Sequence, residues 1–321
     1  PYAELTTDTS VKQKLIGNVH NWAQNHTWGN KNKYLTKDMD PNDAWKLGPR
    51  VDHGDDMACA QVYMDYYAMV DQNKIYTEDL SKRIDTLKVV KTKEVLWDWS
   101  DALFMGPPAV AKLASVENNK EVADFLHSNY WTAVSYLKNE SYGLFHRDSK
   151  YFADGALGKE PNGKPVFWGR GNGWVIAGLA RLIPHLDDND PQKAKYISLF
   201  KEMSEKIKAV QGADGMWRSS LLDPESFPIK ETSGTGMFAY AMAWGVNEGY
   251  LPYNEYAKTI EDAWNGLCLC LDYKTGKLGY VQTIGQAPVN EISADNFNSY
   301  GSGFFVLAGT EILKMIDKDI K

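Results

Sequence analysis

Cysteine is scarce in this 321-residue chain. Cys59, Cys268 and Cys270 are too few for a disulfide framework. Cys268 and Cys270 stand two apart, which on a helix sends them to different sides and makes a poor metal clamp, so buried thiols are expected. No run reaches the roughly 18–20 unbroken apolar residues of a membrane span. Basic excess is missing too: 35 Lys and Arg against 42 Asp and Glu leave a net charge of −7, which argues against nucleic acid or an anionic membrane as partner. There is no Gly-x-Ser-x-Gly hydrolase elbow, no Walker loop and no His-Glu-x-x-His zinc motif. The sequence opens at Pro1 without a Met, which fits either a removed signal peptide or a trimmed chain; a periplasmic or otherwise exported location is the expectation, with the cytoplasm as the alternative.

Aromatic residues are plentiful, with 11 Trp and 18 Tyr. Many belong to the core, yet amphipathic rings also wall carbohydrate sites. Apolar residues recur at i, i+3, i+4 and i+7 and predict helices near 9–25, 53–71, 77–91, 101–116, 119–138, 172–186, 191–211, 232–248, 253–271 and 301–317. Strand-like alternation is confined to patches such as Leu278-Gly279-Tyr280-Val281. Short breakers (186–191, 248–253) alternate with long Gly-, Trp-, Asp- and Asn-rich loops (26–51, 139–171, 212–231, 272–300). That alternation suits antiparallel helical hairpins set in a ring with the long loops at one mouth. The expected fold is all-α, an α/α barrel forming one domain over 1–321, although ten helices fall short of the twelve that six hairpins need.

Four stretches could carry chemistry. In Phe167-Trp168-Gly169-Arg170-Gly171-Asn172-Gly173-Trp174, three glycines allow a tight loop that projects Trp168, Arg170 and Trp174 toward something flat, polar and acidic, such as a uronic acid. A dinucleotide-binding loop is the poorer reading, because no strand run precedes it and the spacing is G-x-G-x-G. In Trp97-Asp98-Trp99-Ser100-Asp101, Asp101 sits among aromatics at the start of an apolar helix. Desolvation there raises a carboxyl pKa toward that of a general acid, and helix capping is the alternative role. In Asp52-His53-Gly54-Asp55-Asp56, Asp52 is the residue most expected to face the mouth; the cluster lacks the spacing of a calcium loop, so no metal is expected. In Tyr142-Gly143-Leu144-Phe145-His146-Arg147-Asp148, His146 and Asp148 are taken as polar contacts on the same mouth. The hydroxyls of Glu231-Thr232-Ser233-Gly234-Thr235 are expected to cap a helix more than to bind substrate.

Together Asp-Ala-Leu-Phe-Met (101–105), Phe-Trp-Gly-Arg-Gly-Asn-Gly-Trp (167–174), the Asp-Gly-Met-Trp and Glu-Thr-Ser-Gly-Thr loop, and Tyr-Gly-Ser-Gly-Phe-Phe-Val-Leu-Ala-Gly (300–309) resemble glycoside hydrolase family 105. These are the unsaturated rhamnogalacturonyl hydrolases, related to the unsaturated glucuronyl hydrolases of family 88. The resemblance spans roughly residues 45 to 315. It implies an (α/α)6 barrel that removes a terminal 4,5-unsaturated uronic acid, galacturonyl or glucuronyl, from lyase-generated acidic oligosaccharides without metal or organic cofactor. One Asp protonates C4 of the vinyl ether and assists water at C5. Asp101 matches that acid and Asp52 a second aspartate of the family; Trp168 and Trp174 match stacking residues, Arg170 a carboxylate partner and His146 a nearby histidine. Two other expectations compete: an inverting glycosidase with Asp101 as acid and Asp52 as base, and a non-catalytic carbohydrate-binding barrel.

Overall fold

A computed structural model describes residues 7–26 and 51–319. Most of the expected loop 26–51 therefore lies outside the described residues. Eleven α-helices are found among those described: α1 (Thr9–Asn25), α2 (Ala58–Met69), α3 (Glu78–Val89), α4 (Ala102–Met105), α5 (Pro107–Glu117), α6 (Lys120–Leu137), α7 (Gly169–Leu182), α8 (Lys193–Lys208), α9 (Thr232–Asn247), α10 (Tyr253–Cys268) and α11 (Ser299–Asp319). All ten predicted helices are present. The helix expected over 101–116 is divided at Gly106, because Pro107 has no N–H to continue the preceding turn and is well suited to begin a new one. Among the described residues, strand structure is limited to two antiparallel two-residue pairs, β1 (Lys138–Asn139) with β2 (Leu144–Phe145) and β3 (Leu271–Asp272) with β4 (Lys277–Leu278).

The residues group into two compact units, neither a continuous segment. One contains the described residues up to Asp98, with Ala102–Tyr136 and Pro184–Asp190; the other contains Trp99–Asp101, Leu137–Ile183 and the residues from Pro191 on. In the first, α2 packs on α1 and α5, and α3 also meets α5. Its core includes Arg83, fully buried and donating from Nη1 to the Val51 carbonyl at 3.1 Å.

In the second unit α9 is central, packed on α7, α10 and α11. Every residue of α9 from Thr232 to Gly245 is buried, and every residue of α7 except Arg181. Helices apolar all round belong inside, whereas α8 and α10 bury one face only. Inner and outer helices thus alternate along the chain, with short connections after α7 and α9 and long ones before α7, α9 and α11. The long connections supply most of the candidate site.

Of the three thiols, only Cys270 is buried as expected; Cys59 is exposed and Cys268 lies between, and none is bridged.

Candidate active site

Asp101 directly precedes α4 and belongs to the second unit. Its side chain keeps 15% of its surface exposed, enough to meet a ligand and little enough to lose most of its hydration. Burial pushes the carboxyl up to about 6, against the opposing pull of the Arg147 guanidinium, the Ser100 hydroxyl and, more weakly, Arg170. Ser100 Oγ donates to Asp101 Oδ2 at 3.0 Å, and Arg147 Nε stands 3.8 Å from the same oxygen. Arg147 also meets Asp148, Nη1 to Oδ2 at 2.5 Å. The backbone ties the two segments together, Ser100 N–H donating to the Arg147 carbonyl at 2.8 Å.

The glycine-rich stretch is not a loop. Gly169, Arg170 and Gly171 form the first turn of α7, with Trp168 as an extended N-cap. None of these glycines has positive φ. They serve close approach instead: a Cβ on Gly169 would come 2.5 Å from the Arg218 carbonyl, and one on Gly171 would come 2.9 Å from Trp168 Cε3 and 3.0 Å from Ser100 Oγ. Asn172 explains why the turn closes early. Fully buried, its amide donates to the Trp168 and Phe145 carbonyls and accepts from Phe145 N–H, clamping β2 to the helix.

Trp168 is 1% exposed, with Nε1 donating to Gln282 Oε1 at 2.8 Å, so the projecting indole expected to stack on a sugar is here part of the wall. Trp174 is buried as well, edge-on to Tyr300 and Phe304. Arg170 lies between the rings of Trp168 and Tyr300, 4.5 and 5.0 Å from their centroids. Its guanidinium donates to the Gln282 carbonyl at 2.6 Å, the Thr283 carbonyl at 2.8 Å and Ser233 Oγ at 3.5 Å. Segment 280–283 is thus gripped from several sides, with Tyr300 Oη also donating to the Gln282 carbonyl. Tyr280 enters it at φ +57°, a conformation a bulky residue adopts only when its surroundings enforce it; here its N–H and carbonyl pair with Ser293 and Thr232.

His146 is 5% exposed, its ring against Phe167 and Phe152 and its Nε2 3.3 Å from the Asn139 amide. Burial pulls its pKa down, so it is a neutral core histidine and not the open polar contact expected. Asp148 caps a short 3₁₀ turn, Oδ1 accepting from Lys150 N–H, while its other oxygen holds Arg147. Asp52 belongs to the first unit, half-buried in a turn within the field of Arg83. At the start of α9 the cap is Glu231 itself, accepting from Ser233 N–H, Ser233 Oγ, Gly234 N–H and Gln282 N–H, which leaves the neighbouring hydroxyls structural.

The family model described as Glycosyl Hydrolase Family 88 matches residues 2–316. The chain belongs to glycosyl hydrolase family 88. An unsaturated 3S-rhamnoglycuronyl hydrolase from Formosa agariphila is 37% identical over 287 residues, covering 84% of this chain and 75% of the relative. A protein of the same name from Alteromonas sp. is 38% identical over 220 residues, 68% of this chain and 52% of its own length, so this chain spans about half of that relative. A solved family 88 glycosyl hydrolase from Bacteroides vulgatus superposes with a TM-score of 0.83 at 31% identity, over 94% of this chain and 86% of that one. These likenesses bear out the all-α barrel fold and make the chain a glycoside hydrolase. The motif resemblance pointed first to family 105 and to family 88 as its relative; the matching family model is that of family 88.

Four residues of this candidate site went unassigned in the sequence: Ser100, Arg147, Gln282 and Tyr300. Arg147 was within reach, a cation flanked by two residues already singled out. Gln282 carries no local signal, and Tyr300 opens the 300–309 motif without a role having been read for it; both reach α7 from more than a hundred residues away.

Proposed function

We propose that this family 88 hydrolase removes a terminal 4,5-unsaturated uronic acid from lyase-generated oligosaccharides, with Asp101 as both proton donor and proton acceptor. The carrying observation is the setting of Asp101: a largely buried carboxyl held up to about 6, accepting from a hydroxyl and facing a guanidinium. Its protonated form gives a proton to C4 of the C4=C5 vinyl ether, leaving an oxocarbenium ion at C5. The resulting carboxylate then takes a proton from the water that adds at C5. The C5 hemiketal opens to a ketone, the ring is lost and the aglycone leaves from C1; one water is consumed and Asp101 ends as it began. Arg147 stabilises the carboxylate in the interval.

Arg170 supports the acidic-sugar reading as a buried cation whose field reaches Asp101. The three bonds described occupy three of its five N–H donors, and we assign the remaining ones to the uronate carboxylate. The names of the two relatives, unsaturated 3S-rhamnoglycuronyl hydrolases, favour a uronyl end group next to rhamnose, galacturonyl and glucuronyl alike.

The test is the loss of ultraviolet absorbance by the conjugated C4=C5 bond on mixing the enzyme with lyase products of several polyuronides. Rhamnose-linked unsaturated uronides, both glucuronyl and galacturonyl, with and without 3-O-sulfate, belong in the panel. Fastest loss with these is the expected result. Release of sugar from saturated glycosides without loss of absorbance would overturn the proposal.

A further inference from the structure

The arrangement around Arg147 places one guanidinium between two carboxylates at unequal distances. Nη1 meets Asp148 Oδ2 at 2.5 Å, whereas Nε stays 3.8 Å from Asp101 Oδ2, beyond hydrogen-bond reach. Nε is buried and has no hydrogen-bond partner, which is costly for a charged donor and shows the side chain to be held in place against its own bonding preference. Asp148 is the restraint. Its second oxygen accepts from Lys150 N–H, so the carboxylate cannot turn without releasing the following 3₁₀ turn. The Arg147 backbone is fixed as well, its carbonyl accepting from Ser100 N–H, so the guanidinium alone has freedom to move toward Asp101.

We propose that Asp148 is a positioning residue that holds Arg147 off the acid: near enough to stabilise the carboxylate left after proton transfer, too far to form the bidentate pair that would take the proton away beforehand. This rests on the reading of Asp101 as the proton donor. A closed Arg–carboxylate pair would keep Asp101 ionised throughout the working range and useless as an acid. The other groups facing Asp101 leave the balance to Arg147. Ser100 contributes a neutral hydroxyl, Arg170 acts more weakly from α7, and burial holds the neighbouring His146 neutral. Tyr151, which follows on the 3₁₀ turn, senses Arg147 and Asp148 in opposite directions, and its own titration lies far to the alkaline side.

Two substitutions give opposite signs. Asp148→Asn keeps an acceptor for Lys150 N–H and removes the charge that grips Arg147; the released guanidinium closes on Asp101, and the alkaline limb of the kcat/KM profile moves to lower pH. Arg147→Met removes the cation and moves the same limb upward by about 1–3 pH units, the range an adjacent opposite charge exerts on a carboxylate. A merely structural role lowers activity and leaves the limb in place. Carboxyl-carbon NMR of Asp101, in protein labelled at aspartate and assigned with Asp101→Asn, follows the same titration without substrate. Resonances that move down in Asp148→Asn and up in Arg147→Met support the proposal whichever sugar is cleaved. An unmoved titration in folded Asp148→Asn overturns it, even where the wild type consumes the unsaturated substrate; failure of the wild type on that substrate overturns only the functional reading.

Discussion

At the scale of one residue, the property that makes Asp101 useful also costs stability. Its pKa of about 6 in the fold lies above the 3.8 of a solvated aspartate, so the native state favours the protonated form. The stability this group contributes is complete below about pH 4 and is lost as pH rises through about 6. A difference of about two pH units corresponds to about 3 kcal/mol at neutral pH. Asp101→Asn imitates the protonated carboxyl in shape and charge, and it is expected to abolish turnover while raising unfolding free energy at pH 7.5 by up to about 3 kcal/mol. Urea unfolding at pH 7.5 and pH 4 checks this, because the advantage must shrink toward zero at the lower pH. An equal gain at both values would mean that the amide acts through packing and not through charge.

The helix that frames the site, α7, shows what a sequence pattern reveals at the scale of an element and what it conceals. Apolar periodicity from Trp174 onward located the helix, yet its start was placed at 172 because three alternating glycines read as a tight, rigid loop. The glycines are helical because Asn172 clamps Trp168 and Phe145, and because the backbones of 218–219 and of α9 lie against them. Those contacts come from distant segments and leave no mark on local spacing. Asp101 was legible for the opposite reason, its aromatic and apolar surroundings being its own sequence neighbours. The Gln282 and Tyr300 grip on Arg170 was hidden by separations of the same long-range kind. Gly169→Ala tests the packing account. Propensity alone favours Ala in a helix interior by about 1 kcal/mol. Here the added methyl would meet the Arg218 carbonyl at 2.5 Å, and overpacking of a fixed backbone costs about 1–3 kcal/mol. The variant should therefore unfold at lower urea than the wild type; a more stable variant would show that the 218–219 segment yields freely.

For the whole molecule, the legible part was the alternation of short and long connections, which gave the barrel and put the candidate site on the long loops. Net charge makes a further claim at this scale. The chain carries −7 overall, while the candidate site holds the cations Arg147 and Arg170 and the proposed substrate is an anionic sugar. The two contributions have different ranges. The site cations act over a few ångströms from behind low-dielectric walls, where salt screens poorly, whereas repulsion of the incoming anion by the remaining surface acts over tens of ångströms. Screening length falls from about 30 Å at 0.01 M salt to about 8 Å at 0.15 M. Raising salt over that interval therefore removes the repulsion first, and kcat/KM on an unsaturated uronyl substrate is expected to rise, on the order of a few-fold, with kcat little changed. The rise should steepen as the oligosaccharide lengthens and carries more anionic groups. A steady fall with salt, steepest for the longest substrates, would show instead that a positive field around the mouth draws the substrate in and outweighs the net charge of the chain.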